Sequence, residues 1–387
     1  LMAHFDDLET RKPSDRSAAQ LAVLNTLLDA PIDVLADLSG LPVLRKSDLS
    51  AAQKAQPPFG GLTVKNATYV FQSPGPIYEP GGSSHDWWRF GRFLAACEIG
   101  TSDIVQNCFG YHLTPAGTMF ENGARAVGAT VLPAGTGQTE LQARAAHDIG
   151  STAYAGTPDY LKVILEKADE MGLPLKFTKA AVSGGALFPQ LRQFYADRGI
   201  ACLQCYATAD LGQIAYETVE GQGMIVDEGV IVEIVTPGTG ISVPAGEVGE
   251  VVVTSLNPDY PLIRFATGDL SAVLAGQSPC GRTNMRIKGW MGRADQTAKI
   301  KGMFVRPEQV ADLVDRLDGV DRARVVVDRD GDADRMTVLI EGTALDADII
   351  ARAVQDVLKL KARITCCAQG DIPRDGIVIE DQRDYDT

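Results

Sequence analysis

The sequence predicts an α/β protein: a large N-terminal domain with mainly parallel sheets and a β-subdomain, plus a small C-terminal α+β domain. Between residues 62 and 206, strand-like runs alternate with helical runs, which is typical of βαβ units and a parallel sheet covered by helices. Over about 216–292, short strands alternate with Gly/Pro turns, which indicates an antiparallel β-subdomain. A new strand and helix pattern then begins, so we place the domain boundary between 1–292 and 293–387.

Each element follows from its local pattern, in order along the chain. Apolar residues at helical spacing over 15–30 predict an amphipathic N-terminal helix. The series that follows has strands at TYVFQS, DIVQNCF, ATVLP, STAYAG, AAVSGG and ACLQCYA, and helices at DWWRFGRFLAAC, MFENGARAVG, ELQARAAHDIG, DYLKVILEKADEMG and LFPQLRQFYADRG. The β-subdomain contributes the strands VIVEIVTPG and GEVVVTSL. The C-terminal domain has helices at PEQVADLVDRLDGV and DIIARAVQDVLKLKA and strands at ARVVVDRD, MTVLIEG and RITCCAQ.

Composition limits the classes of function. With 387 residues, 45% hydrophobic and 22% charged, the chain has the profile of a soluble globular protein. A net charge of −14 argues against nucleic acid or an anionic membrane as partner. Seven cysteines, with Cys366 and Cys367 adjacent, favour the reducing cytoplasm. The first sixteen residues have no apolar run and no stretch approaches eighteen apolar residues, so we expect neither a signal peptide nor a membrane span.

Three polar or glycine-rich turns are candidate ligand sites, because α/β sheets bind ligands where strands end. One is at 183–186, where glycine lets the backbone approach a flat ring. A second is at 206–210, where the carboxylate of Asp210 is a candidate Mg²⁺ ligand. A third is at 267–269, where Asp269 is able to accept hydrogen bonds from ribose hydroxyls. Each has a structural alternative: a plain strand-to-helix turn, a helix N-terminal aspartate and an Asx-type turn, respectively.

Residues 260–302 are the most informative segment, with the sequence YPLIRFATGDLSAVLAGQSPCGRTNMRIKGWMGRADQTAKIKG. Arg264 and Asp269 flank a Thr-Gly turn, and a Gly-Arg-x-Asp-Gln motif and the strand-like KIKG follow. This order suits a nucleotide held at a junction between two domains. Together with other motifs along the chain, the segment resembles the phenylacetate–coenzyme A ligase family of adenylate-forming enzymes. The matching motifs are LPVLRKSDL, DIVQNCFGYHLTPAG, GATVLPAGTGQTELQ, TAYAGTPDYL, VSGGAL, CYATADLG, LIRFATGDL, GRADQTAKIKGMFVRPEQV and GDIPR.

The resemblance implies a two-step reaction on a carboxylic acid, here expected to be aromatic. ATP and the acid form an acyl-adenylate, the small domain rotates about a hinge, and coenzyme A displaces AMP. A homodimer is also implied by the resemblance alone. By matching positions, the nucleotide site comprises Gly184, Gly185, Ala186, Tyr206, Ala207, Thr208, Asp269 and Arg293, the hinge is Asp295, the catalytic residues are Asp210 and Lys301, and the acyl pocket is lined by Phe109, Tyr111, His112, Tyr154 and Pro158. As a lone histidine, His112 is more often a packed or surface residue than a catalytic base.

The chain departs from the family pattern at the phosphate-binding parts. The family's Ser/Thr/Gly-rich phosphate loop is replaced by QSPGPIYEPGG, where Pro74 and Pro76 each remove an amide donor and Glu79 adds charge of the wrong sign. Ala209 lacks the hydroxyl found in relatives, and Asp210 is one methylene shorter than their glutamate. The Ile-Pro-Arg motif at 372–374 has no following lysine, a donor that stabilises charge during adenylation.

A zinc site that some relatives carry is also absent from the sequence pattern. The matching positions are Thr218, Ile225 and Ser278, which leaves only Cys280. The motif at Cys202 and Cys205 is a lone C-x-x-C on a predicted strand. We therefore expect no zinc.

Two functions stay open on this pattern. The first is AMP-forming activation of a carboxylic acid, which retention of Asp269, Arg293 and the hinge favours. The second is a degenerate relative that binds an acyl-adenylate, an acyl-CoA or an aromatic acid without ATP-dependent catalysis, as a carrier or in ATP-independent acyl chemistry. Loss of the loop, the hydroxyl and the lysine favours this second function.

Overall fold

The computed structural model describes residues 4–383 apart from short gaps, at positions 74, 186, 219–221, 237, 292–293, 295, 297, 302, 306, 331–332, 344–345 and 374–376. The side chains at 47, 299, 304, 307, 308, 311, 315 and 330 are also outside the description. The chain divides into two compact units, Leu1–Met291 and Gly292–Thr387, and each is described by itself. No described helix has the length and apolar character needed to cross a lipid bilayer.

The N-terminal unit contains seven α-helices among the described residues. They are α1 (Pro13–Asn25), α2 (Lys46–Ala55), α3 (Gly91–Ala96), α4 (Ala116–Ala126), α5 (Thr139–Ile149), α6 (Pro158–Glu170) and α7 (Pro189–Ala196). Its strands are β1 (Leu44–Arg45), β2 (Tyr69–Ser73), β3 (Ile77–Gly81), β4 (Ile104–Asn107), β5 (Thr130–Pro133), β6 (Ala153–Gly156), β7 (Lys179–Val182), β8 (Ala201–Thr208), β9 (Gly212–Tyr216), β10 (Met224–Val226), β11 (Val230–Val235), β12 (Val248–Ser255), β13 (Phe265–Leu274) and β14 (Arg286–Ile287).

One 12-stranded sheet organises this unit, and it confirms the predicted α/β class with a β-subdomain. Its order is β11-β12-β13-β14-β10-β9-β8-β7-β6-β4-β5, with β1 paired to β13. The pairs from β5 to β8 are parallel, whereas those from β8 through β14 to β11 are antiparallel. The sheet therefore changes character at β8, which lies next to both kinds of neighbour.

Alternate residues of the parallel strands pack into two different hydrophobic cores. On β6, Ala153 and Ala155 belong to the core that contains the aromatic side chains of α3 and α4, whereas Tyr154 belongs to the core formed with α5, α6 and α7. This is the period of two expected for a strand buried on both faces.

Two elements differ from the sequence prediction. TYVFQS forms a strand, but it pairs antiparallel with β3 in a separate two-stranded hairpin instead of entering the parallel sheet. The helix predicted from Asp86 begins only at Gly91. Asp86 and Arg89 have positive φ angles of 50° and 67°, and the Asp86 carboxylate accepts the Gly91 N–H, so this stretch is a turn.

The C-terminal unit is a small α+β assembly. Its elements are β15 (Ala298–Ile300), β16 (Met303–Val305), α8 (Pro307–Arg316), β17 (Val320–Asp330), β18 (Ala333–Gly342), α9 (Ala347–Leu358), β19 (Arg363–Cys367) and β20 (Ile379–Asp381). The main sheet has the order β19-β18-β17-β20, and β15 and β16 form a hairpin. Alternate residues of β17 and β18, such as Val325 and Val338, pack with apolar residues of both helices.

Candidate functional site

A buried group of hydrogen-bonded side chains connects the parallel and antiparallel halves of the sheet. The Tyr206 hydroxyl on β8 lies 2.7 Å from Asp269 Oδ2 and 3.1 Å from Thr267 Oγ1, both on β13. The indole N–H of Trp290 donates to Asp269 Oδ1 over 3.0 Å. The structure thus brings together Tyr206 and Asp269, which the sequence assigned to one nucleotide site.

The segment Thr267–Asp269 is a bulge within strand β13 and not a turn between elements. Pairing with β12 shifts register between Glu250 and Val252, and Gly268 has φ +75°. Bulges of this kind re-aim a side chain out of the regular ladder. The bulge explains how Asp269 reaches the hydroxyl of Tyr206 across the sheet.

Trp290 is a site residue that sequence reasoning missed. Its neighbours are pinned to β13, because the Lys288 N–H donates to Ala272 O and the Met291 N–H donates to Leu270 O, both over 2.9 Å. The half-buried indole also packs against the main core. The available signal was an aromatic residue placed just before the Gly-Arg-x-Asp-Gln motif.

The glycine turn at 183–186 lies beside two of the predicted acyl-pocket residues. Gly184 has φ +73°, and a Cβ added there would lie 3.8 Å from Phe109 Cε1. A Cβ added at Gly185 would lie 3.4 Å from Pro158 Cδ. Ala186 lies outside the described residues. A flat ligand resting on the exposed glycines would therefore approach Phe109 and Pro158.

The other predicted acyl-pocket residues have varied surroundings. Tyr154 is fully buried in the core, where its hydroxyl donates to Thr157 O over 2.9 Å. Tyr111 accepts a hydrogen bond from the buried Asn107 amide over 2.8 Å, and burial raises the pKa of the Tyr111 phenol. His112 is exposed. The assignment of these three to an acyl pocket stays a prediction.

The turn after β8 holds an ion pair. Lys46 Nζ lies 2.5 Å from Oδ2 of Asp210, whose side chain is fully buried. Lys46 follows directly after β1, which pairs in parallel with β13 through Leu44 opposite Phe265 and Arg45 opposite Ala266. Lys46 is thus a cation in the turn after β8, and a carboxylate already engages it.

Glu79 lies in the same buried region, on hairpin strand β3. It is 1% exposed and accepts a hydrogen bond from the Ser73 hydroxyl. Burial, followed by the Asp210 carboxylate, raises the pKa of Glu79 to about 8, although Ser73 and Lys46 act in the opposite direction. At neutral pH this side chain therefore mostly carries a proton. Burial thus disfavours the charged form that the sequence alone would assign to Glu79.

The backbone around Glu79 is committed to the hairpin. Residues 69–73 pair with 77–81 in a continuous register from Tyr69–Gly81 to Ser73–Ile77. Backbone groups that pair in a ladder are not available as the consecutive free N–H donors that a phosphate nest requires. The expectation that this segment is a poor phosphate loop stays a prediction.

Sequence comparisons place this arrangement among known proteins. The chain is 30% identical over 279 residues to phenylacetate–coenzyme A ligase of Thermus thermophilus, a match that covers 67% of this chain and 62% of the relative. The corresponding ligases of Aromatoleum evansii and Escherichia coli K12 are each 29% identical, over 279 and 284 residues. The chain belongs to the phenylacetate–coenzyme A ligase family. It spans less than two thirds of the length of these relatives, and no family model matches it.

Solved structures show the shared fold. A 2-hydroxyisobutyryl-CoA ligase, solved in complex with 2-HIB-AMP and CoA, superposes with a TM-score of 0.79 at 23% identity, covering 97% of this chain and 92% of that one. The amide bond synthetase McbA from Marinactinospora thermotolerans gives a TM-score of 0.56 at 17% identity, covering 80% and 66%. The fold is therefore that of the adenylate-forming CoA ligases.

Mg²⁺ at Asp210, which the family resemblance implies, stays a prediction, because the second oxygen of this carboxylate is buried without a hydrogen-bond partner among the described residues. Mg²⁺ takes oxygen ligands, but one oxygen of Asp210 is occupied by the Lys46 ammonium. Within the described part of the chain, no group of three or more His, Cys, Asp or Glu residues is arranged to hold a metal.

The remaining predicted site residues lie in or near the C-terminal unit. Lys301 is exposed in the turn between β15 and β16, where its backbone N–H donates to Asp334 Oδ2 over 3.1 Å. Arg293 and Asp295 lie outside the described residues. The roles of all three, including the hinge, stay predictions.

At the position that matches the zinc site of some relatives, Cys280 lies among hydrogen-bond donors. Ser278 Oγ lies 3.0 Å and Thr218 Oγ1 lies 3.2 Å from Cys280 Sγ. Burial alone would raise the pKa of the Cys280 thiol, but hydrogen bonds from Ser278, Thr218 and Arg282 outweigh burial and lower it. Cys367 is also partly buried, yet burial raises the pKa of its thiol.

We expect iodoacetamide to label Cys280 faster than Cys367 at pH 7, because the thiolate is the nucleophile. Peptide mass spectrometry over time measures both rates in one sample. Ser278→Ala should slow labelling of Cys280 and leave Cys367 unchanged. Equal rates at the two cysteines would contradict the hydrogen-bond explanation.

Proposed function

We propose that this protein activates a small carboxylic acid with ATP, through an acyl-adenylate, and transfers the acyl group to a thiol such as coenzyme A. The observation that carries the proposal is the Asp269 carboxylate, held at both oxygens by Tyr206 and Trp290. Tyr206 lies on β8, which pairs with β7, the strand that leads into the exposed glycine turn. A fixed acceptor next to a flat, open backbone surface suits a ribose and its base.

Different residues of the chain would bind different parts of the acyl-adenylate. Asp269 would accept hydrogen bonds from the ribose, and the Gly184–Gly185 backbone would lie against adenine. Lys46, whose ammonium pairs with Asp210 in the turn after β8, would stabilise negative charge on the phosphate of the adenylate. The loop of the C-terminal unit that carries Lys301 would act in the thiol-transfer step.

An aromatic acid is the substrate class that we favour. Phe109 is buried beside the glycine turn, and its ring stacks on Phe120 with centroids 4.3 Å apart. Pro158 adds a second apolar surface there. An apolar wall next to an adenylate site favours an aryl or other apolar acyl group.

A second candidate function is binding of an acyl-adenylate, acyl-CoA or aromatic acid without ATP-dependent catalysis. The specific observation behind it is the hairpin that replaces the phosphate loop, with Glu79 and the Lys46–Asp210 ion pair buried against each other. A triphosphate would have to separate this ion pair or find its donors elsewhere.

We further propose a cytosolic, small-molecule enzyme, with a homodimer as a possible assembly. All seven cysteines are free thiols, which fits a reducing compartment. The net charge of −14 does not favour nucleic acid or an anionic membrane as partner.

Acid-dependent ATP–pyrophosphate exchange over a panel of aryl and alkyl acids tests the two candidates. We expect exchange with at least one aryl acid and a loss of about 100-fold in Asp269→Asn, because hydrogen bonds to a charged acceptor are strong. Binding of AMP to the same protein is measured by calorimetry. No exchange with any acid, together with micromolar AMP binding, would exclude the ligase and leave the binding function.

A further inference from the structure

The indole of Trp290 supplies a hydrogen bond that the sequence motifs do not account for. Its N–H reaches Asp269 Oδ1, and the Tyr206 hydroxyl reaches Oδ2 of the same carboxylate. Both are neutral donors from different elements, one after β14 and one on β8. The carboxylate is therefore approached from two directions.

Two donors on two oxygens define the plane of a carboxylate. The terminal torsion of an aspartate side chain is otherwise broad, so a carboxylate with one fixed oxygen can still rotate. An ionised carboxylate oxygen can accept more than one hydrogen bond, so these donors do not exclude a ligand. A vicinal diol, with two hydroxyls at a set spacing, binds a carboxylate best when both oxygens are oriented in advance.

Trp290 is well placed for this orienting task. The backbone on either side of it is hydrogen-bonded to β13, the same strand that carries Asp269. The ring packs against the main core, which limits its rotation. Asp269 is only 6% exposed, so a shift of its carboxylate would not be compensated easily by water.

We propose that Trp290 is a positioning residue that orients Asp269 for the vicinal diol of a nucleotide ribose, and so sets selectivity for a ribonucleotide. This inference rests on the proposed nucleotide site and adds to it a specific residue and a specific ligand feature. Loss of the indole N–H weakens binding only for ligands that have the diol.

The experiment compares AMP with 2′,3′-dideoxy-AMP by calorimetry on the full chain. Wild type is expected to bind AMP more tightly than 2′,3′-dideoxy-AMP. Trp290→Phe keeps an aromatic ring but loses the N–H, and is expected to bind AMP about tenfold more weakly with dideoxy-AMP unchanged. The ratio of the two affinities therefore shrinks.

Trp87→Phe is the matched control. Trp87 is also a buried tryptophan of the N-terminal unit, and its indole N–H has no hydrogen-bond partner among the described residues. This variant is expected to keep the wild-type affinity ratio. A ratio retained in Trp290→Phe, or an equal loss for both ligands, overturns the inference while the nucleotide site stands. If wild type binds neither ligand, the nucleotide site itself fails and the inference falls with it.

Discussion

Replacing Glu79 by glutamine is expected to remove a loss of stability that the wild-type protein undergoes between about pH 4.5 and pH 8. The pKa of Glu79 is about 8 in the folded protein, against an ordinary value of 4.5, because of burial and the nearby Asp210 carboxylate. Within this window the folded state holds the proton and the unfolded state has released it. The contribution of Glu79 to the free energy of unfolding is therefore fully present below pH 4.5. It decreases as pH rises through 8, by up to about 1.4 kcal/mol per pH unit.

The charged and titratable groups that act on Glu79 come from several elements. Asp210 follows β8, Lys46 begins α2, and Tyr260 lies after β12 with a pKa raised by burial, then by Asp210 and Glu79. Glutamine keeps the size and an acceptor oxygen for Ser73 but cannot ionise. At pH 8.5 the variant should therefore be more stable than wild type by about 3 kcal/mol or more.

Urea denaturation at half-unit pH steps measures this effect. Tryptophan fluorescence reports on the correct part of the chain, because the three tryptophans at 87, 88 and 290 all lie in the N-terminal unit. Glu247→Gln, at an exposed glutamate, is the control and should follow wild type at every pH. Parallel pH curves for wild type and Glu79→Gln would show that Glu79 does not hold a proton in the folded state.

Arg264→Ala is expected to destabilise the N-terminal unit by about 3–5 kcal/mol, because it removes one partner of a buried ion pair. The guanidinium is 1% exposed and binds both oxygens of Glu233 at 3.0 Å. It also donates to the backbone carbonyls of Ser39, Leu41 and Gly240 at 3.1, 2.6 and 2.7 Å. The loss leaves a carboxylate and three carbonyls without their donor.

The same change at an exposed arginine is the control. Arg144 lies 3.8 Å from Glu140 with both side chains more than half exposed, so Arg144→Ala should change stability by no more than about 0.5 kcal/mol. Adding Glu233→Gln to Arg264→Ala should recover part of the loss, since the unpaired charge is part of the cost. A loss below about 1 kcal/mol in Arg264→Ala would mean that the network is not important for stability.

Arg264 also shows where motif reading misleads. The sequence places Arg264 beside the Thr-Gly pair of the nucleotide motif. Its side chain instead donates hydrogen bonds to the carbonyls of Ser39 and Leu41, before α2, and to Glu233 on β11. Asp269, five residues later, is the part of the motif that joins the candidate site. Neighbours in a motif can have different tasks because side chains an odd number of residues apart on an extended chain point to opposite faces.

The sequence by itself determined the α/β class, the change to antiparallel strands near residue 216 and the family. These depend on hydrophobic period, on turn residues and on the order of short motifs, which are all local along the chain. Only the tertiary structure decided that Lys46 pairs with Asp210, 164 residues away, that Trp290 holds Asp269, and that burial raises the pKa of Glu79. The physical reason is that sheet register and burial, which bring distant residues together and set their charge, come from the whole fold.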